Sequence, residues 1–407
     1  MYSIAIYIPT LAGGGAELSM LRLAGELAER GHAVDLLLNR RRGAYAERVP
    51  ANVNVVELAR YSKWRARLAV WRARPRDLDV VLRPVMTARV PIMSLRYLGG
   101  LADYLRSRRP GVLVSAMFYS NLVALWARDL AGVHVPVVVT EHNTLSQRIA
   151  QGRSRGGETA RWRHLPALIG RVYPRADAIV TVSDGVAGDL AEITGLARQS
   201  IATIYNPVVF PQLEARAREQ LTHDWFGADN PPVLIAVGRL EAQKDFGTLL
   251  EAFARVRAGR AVRLIVLGEG SQREMLETRA QALGVAADVL FPGWVDNPYA
   301  WMSRAALFVL SSEWEGLGNV LIEAMACGCP VVSTDCPHGP REILEGGRFG
   351  PLVPVHDADA LSRAIVAALA APLPATLLRE RASAFSLGHS ADRYEALIGE
   401  LIDTRGH

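Results

Sequence analysis

Pro231-Pro232-Val233-Leu234-Ile235-Ala236-Val237-Gly238-Arg239 is the stretch on which the architecture turns. Two prolines interrupt whatever precedes them, five apolar residues follow, and a glycine then releases the chain into a charged turn. A short unbroken apolar run of this kind suits a strand covered on both faces. The chain opens in the same way, with an apolar run at 4–8 followed by Gly13-Gly14-Gly15 and a helical pattern closed by Gly31. The pattern therefore starts twice, and 407 residues exceed what one ordinary core organises.

Further strand candidates lie on either side of the restart. In the first half they are 4–8, 34–38, 112–115, 135–140, 178–182 and 201–204. In the second they are 233–237, 262–267, 289–291, 307–310 and 331–333. Helical patterns separate them, which implies right-handed βαβ units and parallel sheets. The expected architecture is α/β, with two Rossmann-like doubly wound domains facing each other across a cleft and ligands at the carboxyl ends of the strands. The joint falls between Asn206-Pro207 and Pro231-Pro232. We expect a first domain over 1–206, a second over 207–390, and an amphipathic helix over 391–407 that packs back on the first.

Composition narrows the class. Half the residues are apolar and 21% are charged, a globular balance rather than a disordered one. No run of about 18 apolar residues escapes interruption by arginine, and no basic leader precedes the first strand, so neither a spanning helix nor a signal peptide is expected. Cys327, Cys329 and Cys336 lack a zinc-like partner set and read as buried reduced thiols. The net charge of +5 conceals an asymmetry: residues 1–206 hold 28 basic and 16 acidic residues, and 207–407 hold 18 and 25. The first half should meet an anionic surface or acceptor.

The chemistry concentrates in loops after strands. Gly13-Gly14-Gly15 lets backbone approach an anion at a helix start, although a plain tight turn serves equally well. Arg239 and Lys244 stand five residues apart before a helix, and Lys244 is one of only two lysines in the chain. A guanidinium fork with an ammonium suits a diphosphate; the bland alternative is a solvated turn with Lys244 beside Asp245. Glu315-Gly316-Leu317-Gly318-Asn319 leads into a helix over 319–327 capped by Gly328. Its first turn would face an anion, while Glu315 and Glu323 could face one ligand or merely offset the helix dipole. Glu323 lies among Leu321, Ile322, Ala324 and Met325, so it needs a hydroxyl or a cation, and a ribose diol would serve. His142 follows a strand in Thr140-Glu141-His142-Asn143, and the backbone at Trp294 and Val295 is placed to read a base edge. Asp77-Leu78-Asp79 and Asp357-Ala358-Asp359 have metal-like spacing, but the first sits in a basic stretch and the second reads as a helix cap, so no metal site is expected.

Taken together, 13–17, 140–143, 238–245, 267–270, 291–297 and 315–344 resemble family 4 of the GT-B glycosyltransferases, retaining enzymes that include bacterial lipopolysaccharide and polysaccharide assembly types. The most specific part is Glu315-x7-Glu323 followed by Cys336-Pro337-His338-Gly339-Pro340-Arg341-Glu342-Ile343. One departure is Leu317-Gly318, where the family often has Phe-Gly or Phe-Pro. The resemblance implies that Arg239 and Lys244 hold the diphosphate of a nucleotide-sugar donor, with Gly14 and Gly15 approaching it from the opposite domain. It places Glu315 and Gly316–Gly318 with Asn319 at the donor sugar, Glu323 at the ribose and His142 near the reacting carbon. It also implies a front-face displacement with no metal and no other cofactor, on a hexose or N-acetylhexosamine carried by UDP.

Residues 60–76 contain Arg60, Lys63, Arg65, Arg67, Arg72, Arg74 and Arg76 without an acidic residue, interleaved with Trp64 and Trp71. Arg148, Arg153, Arg155, Arg161, Trp162, Arg163, Arg171 and Arg175 form a second basic stretch. Such segments suit a peripheral contact with an anionic membrane and a lipid-linked or saccharide acceptor; a solvated basic face is the bland alternative. No nucleic-acid motif accompanies the charge. The expected location is cytoplasmic, peripheral on the inner face of the plasma membrane. A nucleotide-sugar 2-epimerase of the same architecture, a transferase acting on a soluble sugar phosphate, and a non-catalytic sugar-nucleotide-binding protein are the rival readings.

Overall fold

The computed structural model describes residues 1–77, 79, 93–154, 159–227 and 229–404. They form two compact units, Met1–Pro207 with Leu387–His407, and Val208–Ser386.

The first unit is built on seven strands: β1 (Ser3–Ile8), β2 (Ala33–Leu38), β3 (Asn54–Glu57), β4 (Val112–Ala116), β5 (Val137–Glu141), β6 (Ala178–Thr181) and β7 (Ile201–Thr203). They pair in parallel in the order β3-β2-β1-β4-β5-β6-β7. Alternate residues of β1 serve opposite faces, as the two-residue period of a strand requires. Ala5 and Tyr7 join Leu37, Leu101 and Trp126 in one apolar layer, while Ile4, Ile6 and Ile8 join Met20, Leu23 and Leu27 in the other.

The C-terminal helix, Leu387–Asp403, returns to this second layer and buries Tyr394 and Ile398 there. It starts four residues before the expected 391. Polar links fix its placement: Arg30 Nη1 lies 2.7 Å from Asp392 Oδ1 and 2.9 Å from Glu395 Oε2, and Ser390 Oγ donates to the Tyr205 carbonyl at 2.8 Å.

The second unit carries β8 (Val233–Val237), β9 (Arg263–Leu267), β10 (Val289–Gly293), β11 (Leu307–Leu310), β12 (Val331–Thr334) and β13 (Leu352–Val353). Their order is β10-β9-β8-β11-β12-β13, again all parallel. Leu249, Phe253, Leu276, Leu361 and Ile365, from three helices, cover one face.

Two strands, β3 and β13, escaped the sequence reading. Both are edge strands: β3 has exposed polar residues at its two ends, and β13 is two residues long. Neither forms the continuous apolar run by which the buried strands announce themselves. In each sheet the strand order reverses beside the first strand, between β1 and β4 and between β8 and β11. Doubly wound sheets bind ligands at the carboxyl ends of strands flanking such a reversal.

Candidate functional site

At the β8–β11 reversal the second unit gathers three loops. After β8 the chain passes Gly238 and Arg239 into a tight turn at Ala242–Lys244, then into the helix Phe246–Gly259. Asp245 takes a left-handed conformation (φ 43°) and caps that helix, its Oδ1 accepting from Thr248 N at 3.3 Å. The loop after β9 lies against this turn: Leu240 N donates to the Glu269 carbonyl at 2.9 Å. Glycine is needed at 268 for that approach. Its φ is 139°, and a Cβ there would lie 1.9 Å from the Gly238 carbonyl oxygen.

The loop after β11 is tied to the same turn at four points. Glu313 N donates to the Gln243 carbonyl at 2.9 Å, Gln243 Nε2 to the Trp314 carbonyl at 2.9 Å, and Ser311 Oγ to the Lys244 carbonyl at 2.7 Å. The fourth tie is ionic: Lys244 Nζ sits 2.5 Å from Glu315 Oε1, and Ser312 Oγ donates to that same oxygen at 2.6 Å. The side chains of Lys244 and Glu315 are 15% and 9% exposed, so the pair is largely withdrawn from water. Lys244 therefore meets neither open solvent nor Asp245, whose other oxygen faces His356 Nδ1 at 2.9 Å. Arg239 is exposed and has no carboxylate partner among the described residues. Sequence reading had joined Arg239 to Lys244; tertiary structure adds that only Lys244 carries an internal counter-charge.

Glu315 is held in turn by the chain after β12. Its N–H donates to the Pro337 carbonyl at 2.8 Å, and His338 N donates to the Glu315 carbonyl at 3.2 Å. Beneath lies Cys336, a buried thiol that desolvation, with Glu315 nearby, pushes up to about 12. Cys327 and Cys329 are likewise free and buried. Gly318 (φ 99°) starts the helix Asn319–Ala326, and no side chain caps that start. On this helix Glu323 is 7% exposed and accepts a 3.2 Å hydrogen bond from the Tyr299 hydroxyl. Tyr299 was missed in the sequence, which carries no local sign that a residue 24 positions away will supply the hydroxyl. Trp294 is 57% exposed just after β10, and Val295 is half-buried.

Asp357 caps the helix Ala358–Ala370 through Ala360 N at 2.8 Å, as its position suggested. Asp77 is engaged by Arg175 at 3.1 Å, and its neighbour at 78 lies outside the described residues. Among the described residues one group of potential metal ligands occurs, Asp245, Glu313 and His356, which sequence reading did not single out. There His356 bridges two carboxylates, its Nε2 lying 3.6 Å from Glu313 Oε1.

In the first unit, Gly14 precedes the helix Gly15–Glu29 in extended conformation, and a Cβ on it would strike the Glu17 carboxylate at 2.2 Å. His142 stands just past β5, 7% exposed, with Nε2 3.0 Å from Thr140 Oγ1. Burial drives its pKa down to about 4, against a smaller opposing effect of Asn206, so the ring is neutral. Beside it Glu141 is fully buried. Its Oε1 accepts from Tyr173 and, at 3.1 Å, from Asn121 Nδ2, and burial outweighs both in raising its pKa to about 7.

The helix Lys63–Ala73 buries Ala66, Ala69 and Val70 while leaving Trp64 and Trp71 64% and 45% exposed. Lys63, Arg65, Arg72 and Arg74 are exposed around them, Arg67 is half-buried, and Arg60 is exposed just before the helix. Of the second basic stretch, Arg155 and the side chains of Arg153, Arg161 and Trp162 lie outside what the structure describes.

Two family models match the chain: Glycosyltransferase Family 4 over residues 13–209 and Glycosyl transferases group 1 over 231–371. The chain is 26% identical over 369 residues to a Campylobacter jejuni enzyme, N-acetylgalactosamine-N,N'-diacetylbacillosaminyl-diphospho-undecaprenol 4-alpha-N-acetylgalactosaminyltransferase, covering 89% of this chain and 88% of that one. It is 35% identical over 232 residues to a lipopolysaccharide core biosynthesis glycosyltransferase of Rhizobium meliloti, covering 56% of this chain and 61% of that one. Among solved structures, the Anabaena protein HepE in complex with UDP-glucose superposes with a TM-score of 0.73 at 19% identity, over 99% of this chain and 100% of that one. With both matched models and two parallel sheets in place, the chain belongs to family 4 of the GT-B glycosyltransferases and is a glycosyltransferase.

Proposed function

We propose that the enzyme transfers a hexose or N-acetylhexosamine from a UDP-sugar to a lipid-linked or saccharide acceptor in cell-surface polysaccharide or glycolipid assembly, with retention of configuration and without a metal. The observation that carries this reading is the largely buried Lys244–Glu315 pair joining the exits of β8 and β11, with Arg239 exposed in the same loop after β8. Arg239 and Lys244 supply two cations for a diphosphate, and the uncapped helix start after Gly318 adds backbone dipoles. Glu315 and residues 316–319 bind sugar hydroxyls, Glu323 the ribose, and the backbone of 294 and 295 the base. Support for a UDP-sugar comes from the Anabaena neighbour's bound UDP-glucose, and support for a lipid-linked acceptor from the Campylobacter relative's diphospho-undecaprenol substrate.

Retention follows from a front-face displacement. The acceptor oxygen attacks the anomeric carbon on the side the diphosphate leaves, and the departing phosphate oxygen takes the acceptor's proton. The protein then has to position the two substrates and stabilise negative charge growing on the diphosphate. Calorimetry with UDP, GDP and ADP, each with and without EDTA, tests the assignment against Arg239→Ala and Lys244→Ala. UDP binding that persists in EDTA and disappears in both variants is expected; binding that survives both substitutions sinks it.

The exposed Trp64 and Trp71, seven residues apart on one helix and ringed by cations, support the reading that an anionic membrane is among the partners. The contact we propose is peripheral, on the cytoplasmic face; among the described residues no single helix is long and apolar enough to cross a bilayer. Each basic residue near such a surface contributes about 1 kcal/mol. Flotation with anionic vesicles should retain the protein; equal recovery with neutral vesicles would refute this contact.

A further inference from the structure

The loop between β10 and the short helix Pro298–Met302 holds Trp294 and Val295, whose backbone serves the base in the donor reading. Its entrance is fixed by the sheet, where Gly268 N donates to the Gly293 carbonyl at 2.8 Å. Its exit is fixed from elsewhere. The helix Leu213–Arg218, the first of the second unit, packs against it. Arg216 Nη2 donates to the Asp296 carbonyl at 2.8 Å and lies 3.1 Å from Asp296 Oδ2. In return, Asn297 Nδ2 donates to the Arg216 carbonyl at 2.8 Å and to Glu219 Oε2 at 2.7 Å. Trp294 and Val295 span the gap between these two anchorages. The same guanidinium also reaches the ribose side: its carbon lies 5.3 Å from the centroid of the Tyr299 ring, which Phe210 meets edge-on at 5.8 Å. That ring carries the hydroxyl donated to Glu323.

We propose that Arg216 is a positioning residue for the nucleoside half of the donor. Through the Asp296 carbonyl and the Tyr299 ring it holds the backbone of Trp294 and Val295 and the carboxylate of Glu323 in one arrangement, and so sets the preference among nucleobases. The two contacts with Asp296 differ in weight. The Asp296 side chain is 65% exposed, and an ion pair in that setting contributes little. The carbonyl belongs to the chain itself, so a charge-assisted hydrogen bond to it sets the peptide plane one residue beyond Val295. Backbone groups that read a base edge discriminate only while their spacing is kept, because a wrong base then leaves them unpaired. Lysine cannot replace the arginine here, since one planar group both stacks on the ring and donates sideways. The inference rests on the donor reading above and concerns the base and ribose; the diphosphate is assigned to Arg239 and Lys244.

The test is calorimetry on the full chain with UDP, GDP and ADP, using displacement titrations for weak binders, in the wild type, Arg216→Met and Asp296→Ala. Arg216→Met keeps an aliphatic stem over Tyr299 and removes the guanidinium. Its affinity for the nucleotide that the wild type prefers should fall roughly tenfold, about the worth of one hydrogen bond, and the margin over the other two should shrink by a similar factor. Asp296→Ala, which removes the carboxylate and leaves the carbonyl, should stay within about threefold of the wild type. In a transfer assay the donor KM of Arg216→Met should rise with its Kd while kcat holds, the signature of binding lost equally from ground and transition states. Should circular dichroism show Arg216→Met unfolded, Arg216→Lys carries the same comparison. Unchanged nucleotide affinity in the arginine variant overturns the proposal, as does an equal loss for all three nucleotides, which a general loosening would give. An Asp296→Ala loss as large as that of the arginine variant also overturns it, by placing the effect in the ion pair. A wild type that binds none of the three overturns the donor reading and this inference with it, whereas the other adverse results leave the donor reading standing.

Discussion

Lys244 and Glu315, 71 positions apart in the chain, form a 2.5 Å ion pair that joins the exits of β8 and β11. The pair is largely withdrawn from water, so each partner depends on the other for charge balance. Removing one leaves an uncompensated charge, whereas removing both together does not.

Lys244→Ala should therefore cost about 3 kcal/mol of stability, more than an exposed lysine would. The double change Lys244→Met with Glu315→Leu should recover most of that loss yet remain inactive. Urea unfolding beside a transfer assay checks both halves. A Lys244→Ala protein as stable as the wild type would show that the pair contributes nothing.

Tyr299→Phe takes from Glu323 the hydroxyl that it accepts from within the buried layer. A hydrogen bond to a charged group contributes roughly 1.5–3 kcal/mol, and a drop of that size is expected in urea titrations. Because Arg216 stacks on the Tyr299 ring, which phenylalanine preserves, the effect should come from the hydroxyl alone. Tyr299→Phe combined with Glu323→Gln should then cost less than the sum of the two.

Glu141 and His142 set opposing pH dependences. In the folded chain Glu141 holds its proton up to about 7 against an ordinary 4.5, so the stability it contributes is present below 4.5 and is lost as pH rises through 7. His142 falls from 6.5 to about 4, so its contribution is present above 6.5 and is lost as pH falls through 4. Between about 4.5 and 6.5 the two slopes cancel. Glu141→Gln removes the first, and the variant should gain roughly 3 kcal/mol from pH 4.5 to 6.5 while the wild type stays nearly flat. Urea midpoints at three pH values across that window decide it.

Ile398 is fully buried where the C-terminal helix meets β4 and the Gly15–Glu29 helix. Ile398→Ala should destabilise the first unit by about 2–5 kcal/mol through the cavity it leaves. UDP affinity, carried by residues of the second unit, should stay within twofold. Calorimetric melting and UDP titration separate the two effects; a large loss of UDP affinity would contradict the assignment of the donor to the second unit.

Some of this was written locally in the chain. Continuous apolar runs such as 233–237 declared strands covered on both faces, and their alternation with helices dictated parallel sheets, because both properties repeat every few residues. The candidate donor residues were legible for a related reason: Gly238–Asp245 and Glu315–Gly328 each lie within one loop and one helix start. Edge strands β3 and β13 were not legible, since a strand with one neighbour needs no unbroken apolar run. Long-range partnership was beyond reach altogether. That Lys244 would meet Glu315, that Tyr299 would serve Glu323, and that Thr140 would stand between Ser115 and His142 depend on which strands become neighbours. Sequence determined the elements and the chemical groups at their ends. Only the tertiary structure decided which of those groups share a hydrogen or a charge, because separations of a few ångströms are set by sheet order and not by distance along the chain.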